Sequence, residues 1–145
     1  MRIVIAEAGE EYRVASERKI RSPQDAGDAG ESIKYSETEC FVVLCLDAKN
    51  GMRAAEIVTT GLLDASLVHP REVFRAAILR NSASIVLLHN HPSGDATPST
   101  EDIRITRQLI EAGKVLDIRV VDHVIIAPGN GAAYSMRESG VVSFG

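Results

Sequence analysis

Apolar runs occur at three places in the chain and predict strands, of which the first is nearly unbroken and is expected to be covered on both faces of a sheet. They are residues 39–47, 84–89 and 117–127. Lys49-Asn50-Gly51 predicts a tight turn, after which residues 52–61 return as an antiparallel strand. One or two shorter strands are expected near the N-terminus, in RIVIA and YRVAS, and another in AAYSM near the C-terminus.

Three segments between these strands predict helices. Ser22 followed by proline is typical of a helix start, and we expect that helix to run to about residue 35. A second helix is expected over residues 70–80, and a third from Ser99 to about residue 112, ended by Gly113. The second helix has its apolar residues at helical spacing: Val73, Phe74, Ala77 and Ile78. Helices that alternate with a mixed sheet indicate a three-layer α/β/α domain.

The composition is that of one globular domain. The chain has 145 residues, of which 45% are apolar and 25% charged. It contains no apolar stretch of the roughly 18 residues needed to cross a bilayer and no signal-peptide pattern, so we expect a cytoplasmic protein without a membrane partner. The net charge of −4 does not favour direct DNA binding, which depends on basic contacts to phosphates. Arg71, Arg75 and Arg80 could form a local basic patch, but a solvated helix face explains them better.

The two cysteines, Cys40 and Cys45, belong to one predicted strand. Their odd separation points them to opposite faces of the sheet, which makes a disulfide between them implausible. We interpret both as small buried hydrophobic residues.

The chemistry is concentrated in the segment HNHPSGDATPSTED, which starts at His89. His89 and His91 are two residues apart at the end of a buried strand, so their side chains project to the same side. Asp102 lies in the first turn of the following helix, from which it can supply a carboxylate oxygen. Two imidazoles and one carboxylate leave a fourth tetrahedral position open, which is the pattern of a catalytic zinc site.

Ser99 and Asp102 each have a second interpretation. The Ser99 hydroxyl lies close in sequence to the predicted ligands and could stabilise an oxyanion, but Ser-x-x-Asp is also the pattern of a helix capping box. Asp102 is also explained as a favourable negative charge at a helix N-terminus. These interpretations are compatible with each other.

The motif of the JAMM (MPN+) metalloprotease family is His-x-His, followed after seven residues by Ser and after two more residues by Asp. The chain has this motif without a departure in spacing. The segment HNHPSGDATPSTED resembles the RadC-like branch in particular, as do ECFVVLCLDAKN, VHPREVF and VVDHVIIA. The resemblance covers roughly residues 20–140. We therefore expect an N-terminal extension over residues 1–20 and a RadC-like JAB/MPN domain over residues 21–145. The helix-hairpin-helix region that members often carry is not expected in so short a chain.

The resemblance implies a fold like that of cytidine deaminases, zinc as the metal and an upstream glutamate as general base. Glu39 stands where that glutamate usually lies, at the start of the strand after the first helix. Glu37 is the same-face alternative, but it lies further into the preceding polar loop. The implied reaction is hydrolysis of a peptide or isopeptide bond in a protein or peptide substrate. Glu39 would take a proton from the attacking water and return it to the leaving amine, while Ser99 stabilises the oxyanion.

Two functions of other classes remain open. One is a DNA-repair-associated factor, which the naming of the RadC-like family suggests. The other is a zinc-stabilised scaffold without catalysis, the behaviour of superfamily members that lack the ligands. An HNH nuclease is not expected, because its histidines lie far apart in a ββα module. A zinc deaminase is not expected either, because its His-x-Glu and Pro-Cys-x-x-Cys motifs are absent.

Three further polar residues have no settled role. Asp95 is either a turn former after Gly94, which we favour, or a carboxylate near the metal. Asp122 and His123 lie in an otherwise apolar strand and therefore need partners. We favour a satisfied core pair, and the alternative is that one of them orients a ligand histidine. The oligomeric state is left open, although an exposed sheet edge would permit self-association.

Overall fold

The computed structural model describes residues 6–7, 18–61, 68–129 and 131–145. Within them, six strands form one mixed sheet in the order β1-β3-β2-β4-β5-β6. The strands are β1 (Ala6–Glu7), β2 (Glu39–Leu46), β3 (Met52–Gly61), β4 (Ser84–Asn90), β5 (Arg119–Ile126) and β6 (Tyr134–Ser135). The helices are α1 (Pro23–Ala29), α2 (Glu31–Lys34), α3 (Pro70–Leu79), α4 (Thr100–Leu116) and α5 (Met136–Ser139).

The strand directions agree with the predicted mixed sheet. Strand β2 runs antiparallel to both of its neighbours, β3 and β4, whereas β4 and β5 are parallel. The β2–β3 connection is the predicted turn, in which Asn50 has a positive φ of 64°. The Asp47 carboxylate accepts hydrogen bonds from the backbone N–H groups of Lys49 and Gly51 and so closes this turn.

Each face of the sheet has its own hydrophobic core, which confirms the three-layer α/β/α architecture. Alternate residues of β2 enter opposite cores: Phe41 and Val43 join one, and Val42 and Leu44 join the other. Helices α3 and α4 cover the first core, and helices α1 and α2 cover the second. The first core contains Val73 and Phe74 of α3 and Ile105 and Leu109 of α4. The second contains Ala26 and Ala29 of α1 and Ile33 of α2.

The two cysteines behave as predicted. Cys40 lies in the core under α1 and α2, Cys45 lies in the opposite core, and both are free thiols. Burial raises the pKa of Cys45 to about 11, so this residue stays a protonated thiol at neutral pH.

One predicted helix is interrupted, and one predicted helix end is wrong. The first helix reaches Lys34, as expected, but it is interrupted at Gly30, which lies between α1 and α2. Gly30 packs closely on Leu88, since a Cβ there would come within 2.5 Å of the Leu88 side chain. Gly113 does not end α4, which continues to Leu116 and is capped by Asp117 with a φ of 56°. Gly113 allows the chain to return closely, since a Cβ there would lie 2.4 Å from the Ile118 carbonyl oxygen.

Smaller differences concern side chains and short segments. Ile78 was expected on the apolar face of α3, but it is 55% exposed and Ala76 is buried instead. The AAYSM strand is limited to the two residues of β6 and leads directly into α5. Most of the N-terminal segment that was expected to form one or two strands lies outside the described residues, including all of YRVAS. The final alanine of RIVIA is described, and it begins β1, which pairs with β3. No helix in the described part of the chain is both long enough and apolar enough to span a bilayer.

Candidate metal centre

The candidate metal centre lies where β4 ends and α4 begins. His89 is the penultimate residue of β4, and His91 directly follows the strand. The His91 backbone N–H donates to the carbonyl oxygen of Ile126 at 2.8 Å, which ties the start of the loop to the end of β5. After this loop, the helix start at Ser99 turns Asp102 back toward the two histidines.

The capping box predicted for α4 is present and holds the Asp102 carboxylate in place. The Ser99 hydroxyl oxygen accepts from the Asp102 backbone N–H at 3.0 Å, and the Asp102 carboxylate accepts from the Ser99 backbone N–H at 2.9 Å. The carboxylate oxygen that accepts from Ser99, Oδ2, is also the one that faces the histidines. The cap and the candidate ligand are therefore the same side chain in one conformation.

Three potential ligand atoms converge on one point. His89 Nε2 and His91 Nε2 are 2.8 Å apart, and Asp102 Oδ2 lies 3.6 Å from the first and 3.3 Å from the second. His89 is fully buried, Asp102 nearly so, and His91 is partly exposed. The group is therefore open to solvent on the His91 side only.

The hydrogen bonds of His91 determine where its lone pair points. His91 Nδ1 lies 2.8 Å from the backbone carbonyl oxygen of Asp95. A carbonyl oxygen only accepts, so Nδ1 carries the proton and donates it. In neutral His91 the lone pair is then on Nε2, which faces His89 and Asp102.

The negative charge of Asp102 dominates the electrostatics of this group. Burial tends to raise the pKa of Asp102, but its contacts with His89 and His91 and the Ser99 backbone N–H hold that pKa well below its usual range. Burial likewise tends to lower the pKa of His91, but the Asp102 carboxylate and the Asp95 carbonyl raise it above the usual value, with a smaller contribution from the charge of Glu39. Both shifts indicate a site that favours positive charge.

This donor set fits a metal ion. Among the described residues, His89, His91 and Asp102 are the group whose ligand atoms are close enough together to share one ion. A tetrahedral ion with bonds of 2.0–2.1 Å holds its ligand atoms about 3.3 Å apart, close to the three separations observed. Imidazole nitrogen and carboxylate oxygen are ligands that zinc and several other transition metals accept.

Glu39 lies on the same side of the sheet as the histidines. Phe41 pairs with His89 across β2 and β4, and the same register continued by two residues brings Glu39 opposite His91. Glu39 is half-buried, whereas Glu37 is exposed and lies outside β2. The structure thus favours Glu39 over Glu37 by position, and the role of Glu39 as a base stays a prediction.

The Ser99 side chain is exposed at the edge of the site. Its oxygen accepts the capping hydrogen bond, and its hydroxyl proton is donated to no other described residue. Both interpretations of Ser99 therefore remain compatible, and its role toward an oxyanion stays a prediction.

The three undecided residues have separate environments. The Asp95 carboxylate accepts from the Thr97 backbone N–H at 3.0 Å, which makes Asp95 the favoured turn former. Asp122 and His123 are both buried and hydrogen-bonded, as the favoured interpretation expects, but their side chains have different partners. The Asp122 carboxylate bonds the Ser135 hydroxyl and the backbone N–H groups of His123 and Arg137, and burial raises its pKa.

The His123 ring instead lies behind the metal centre. Its Nε2 is 2.6 Å from His89 Nδ1, and its Nδ1 is 2.6 Å from Thr106 Oγ1. Burial, together with the neighbouring His89, lowers the pKa of His123 well below its usual value, which leaves the ring neutral. The less favoured interpretation, contact with a ligand histidine, is the one observed.

Asn90 is a site residue that sequence reasoning missed. Its side chain is fully buried, its Oδ1 accepts from the Cys40 backbone N–H at 2.7 Å, and its Nδ2 donates to the Thr38 carbonyl oxygen at 3.0 Å. These two backbone groups flank Glu39, so the strand end that carries the histidines also fixes the backbone at Glu39. An amide side chain between two predicted ligands at the end of a buried strand was the available signal, because a buried amide needs partners.

Comparison with known proteins gives a consistent result. The family model described as the RadC-like JAB domain matches residues 20–141. A UPF0758 protein of Caldanaerobacter subterraneus subsp. tengcongensis is 45% identical over 99% of this chain and 58% of its own length. A UPF0758 protein of Methanosarcina barkeri is 46% identical over 86% of this chain and 54% of its own length. One of Roseiflexus castenholzii is 47% identical over 97% of this chain and 57% of its own length. The chain thus spans a little over half the length of these relatives. The proposed division at residue 20 stays a prediction.

Removal of the Asn90 amide should destabilise the fold at the site. In Asn90→Ala the backbone N–H of Cys40 and the carbonyl of Thr38 lose a buried partner, which we expect to lower the free energy of unfolding by about 1–3 kcal/mol. The control is Gln24→Ala, which removes an exposed side-chain hydrogen bond to Asp28 and should cost less than about 0.5 kcal/mol. Urea denaturation measures both. Equal stability of the two variants would contradict this role of Asn90.

Proposed function

The chain belongs to the RadC-like JAB domain family, and from this premise we propose that it is a zinc-dependent peptidase of the JAMM type. His89, His91 and Asp102 hold the zinc ion, Glu39 is the general base, and Ser99 stabilises the oxyanion. The substrate is a peptide or isopeptide bond in a protein or peptide.

One observation carries this proposal: two imidazole nitrogens and one carboxylate oxygen meet at one point, where His89 and Asp102 are buried and His91 is partly exposed. Three protein ligands leave one position of a tetrahedral ion for solvent or substrate, which is the arrangement of catalytic rather than structural zinc sites. Two histidines and one carboxylate also bind iron(II) in other proteins, so the choice of zinc rests on the family resemblance.

A bound zinc ion would supply the acidity that makes hydroxide available near neutral pH and would polarise the carbonyl under attack. Hydrolysis also needs a group that accepts a proton from water and returns one to the leaving amine. Glu39 is suited to this task, because it lies opposite His91 on the open side of the site and is itself only half-buried. The water oxygen forms the new C–O bond, the C–N bond breaks, and the amine leaves with the proton that Glu39 returns.

The position of Ser99 supports its role as a donor. The hydroxyl oxygen is held by the Asp102 backbone N–H, which orients the side chain without using the hydroxyl proton. That proton is available to a carbonyl oxygen as negative charge develops on it. Removal of a single oxyanion donor of this kind typically costs about 10²–10³-fold in turnover.

Metal analysis tests the ligand set. After mild chelation and reloading, we expect about one zinc per chain in the wild type and little or none in His89→Ala and Asp102→Ala, because two remaining ligands hold zinc poorly. Elemental analysis of the protein as purified, before chelation, should measure iron and manganese together with zinc. Stoichiometric iron would contradict the assignment of the metal. A wild type that retains no metal would favour the non-catalytic scaffold.

Glu39→Gln should separate catalysis from metal binding. The amide keeps the size of the side chain but cannot accept a proton, so we expect wild-type zinc content and a fall of about 10²–10⁴-fold in hydrolysis of a fluorogenic peptide panel. The control is Glu37→Gln, which changes an exposed residue outside β2 and should keep wild-type activity. Loss of activity in Glu37→Gln but not in Glu39→Gln would reverse the assignment of the base.

A further inference from the structure

A buried chain of hydrogen bonds connects two of the three proposed ligands behind the metal centre. It runs from His89 Nδ1 to His123 Nε2, from His123 Nδ1 to Thr106 Oγ1, and from Thr106 Oγ1 to the backbone carbonyl oxygen of Asp102, with each step 2.6 Å long. We propose that His123 and Thr106 are positioning residues that fix the tautomer of His89 so that its lone pair points at the metal. This inference rests on the proposed function, since it concerns the same ligand set.

The direction of every proton in this chain follows from its last member. The Asp102 carbonyl oxygen only accepts, so the Thr106 hydroxyl donates its single proton there. The Thr106 oxygen must then accept from His123 Nδ1, which leaves a lone pair on Nε2 of the neutral His123 ring. That lone pair accepts from His89 Nδ1–H, and the lone pair of His89 is consequently on Nε2, the atom that faces His91 and Asp102.

On the side away from the metal centre, packing leaves His123 and Thr106 few competing partners. The side chains of His89, His123 and Thr106 are fully buried, so no solvent reaches the hydrogen bonds between them. Phe41 stacks on the His89 ring with centroids 5.8 Å apart and meets the His123 ring edge-on at 5.5 Å. The sulfur of Met136 lies 3.5 Å from Thr106 Oγ1, but a thioether is a much weaker acceptor than a carbonyl at 2.6 Å.

Among the described residues, no carboxylate is hydrogen-bonded to the His123 ring. Asp122 is its neighbour in sequence, but the Asp122 carboxylate bonds the His123 backbone N–H, the Ser135 hydroxyl and the Arg137 backbone N–H. The ring therefore has one donor and one acceptor to satisfy, and Thr106 and His89 satisfy one each. Because Thr106 and His123 are both neutral, they fix which nitrogen of His89 is protonated without adding charge to the site.

The two proposed histidine ligands are thus oriented by different hydrogen-bond partners. His91 donates directly to a carbonyl in the surface loop, that of Asp95. His89 donates to a carbonyl only through two intervening side chains, and that carbonyl belongs to the third ligand, Asp102. The same threonine hydroxyl therefore sets the His89 tautomer and bonds the first turn of α4, from which the Asp102 carboxylate projects.

Thr106→Val tests the relay because it removes the hydroxyl and nearly keeps the shape. His123 Nδ1–H then has no acceptor, so His123 can shift its proton to Nε2 and donate to His89 Nδ1. His89 would then carry its proton on Nε2, directed at the ion. The matched control is Thr106→Ser, which keeps the hydroxyl and should keep the wild-type tautomers.

Two measurements follow the tautomers and the metal independently of peptidase activity. Long-range ¹H–¹⁵N NMR of the zinc-free protein reports the protonated nitrogen of each imidazole, and the chain has only four histidines to assign. At about pH 8, above the usual pKa of histidine, we expect His89 and His123 of the wild type and of Thr106→Ser to be protonated on Nδ1. In Thr106→Val we expect a large Nε2–H population of His89 and a zinc affinity lower by about 10–100-fold in chelator competition.

Two results would overturn the inference. One is wild-type His89 protonated on Nε2. The other is Thr106→Val with wild-type tautomers and zinc affinity, even if it melts at a lower temperature, because a purely structural hydroxyl would affect stability alone. If the wild type binds no zinc, the proposed function fails, but the spectrum of the zinc-free protein still decides whether the relay sets the tautomer of His89.

Discussion

The pairing of β4 on both of its edges is the constraint on which the rest of the site depends. Strand β4 bonds β2 on one side and β5 on the other, and its residues are buried in both cores. Its end cannot shift without breaking two ladders. Because side chains alternate along the strand, His89 enters one core beside Phe41 and His123, while Asn90 points the other way and bonds the backbone around Glu39. One strand end thus organises the ligands and the proposed base together.

The metal centre concentrates electron-rich atoms that repel one another unless a cation lies between them. Backbone carbonyl oxygens direct the protons of His91, and through Thr106 those of His89, away from the centre. The remaining lone pairs and the Asp102 carboxylate therefore face each other at 2.8–3.6 Å. The capping box adds a second restraint, since the Asp102 carboxylate is fixed by the Ser99 N–H before any ion binds. Such preorganisation lowers the cost of assembling the site around the ion.

The features that were predictable from sequence are those that depend on local patterns. Apolar runs predicted the central strands, the Asn50-Gly51 signal predicted the hairpin, and the Ser99-x-x-Asp102 spacing predicted the helix start. The ligand set followed from the His-x-His spacing on a strand end, and the family resemblance added the distant Glu39. None of these inferences required knowledge of which strands are neighbours.

The features that were missed depend on contacts between distant segments. Gly113 is a typical helix-ending residue, and only the return of the chain at Ile118 shows that it permits a close approach inside α4. Asn90 and Thr106 were overlooked because their partners lie 52 and 17 residues away. The contact of His123 with His89 was the less favoured interpretation, because the sequence alone does not show that the ring of His123 meets β4 and α4. The parallel register of β4 and β5 was needed to see this.

X-ray absorption at the zinc edge of the zinc-loaded wild-type protein tests the central claim most directly. The account predicts imidazole scattering from two histidines and only nitrogen or oxygen donors in the first coordination sphere, at about 2.0–2.1 Å. A sulfur shell at about 2.3 Å, or a spectrum without histidine scattering, would contradict it, because the ion would then lie outside the group formed by His89, His91 and Asp102.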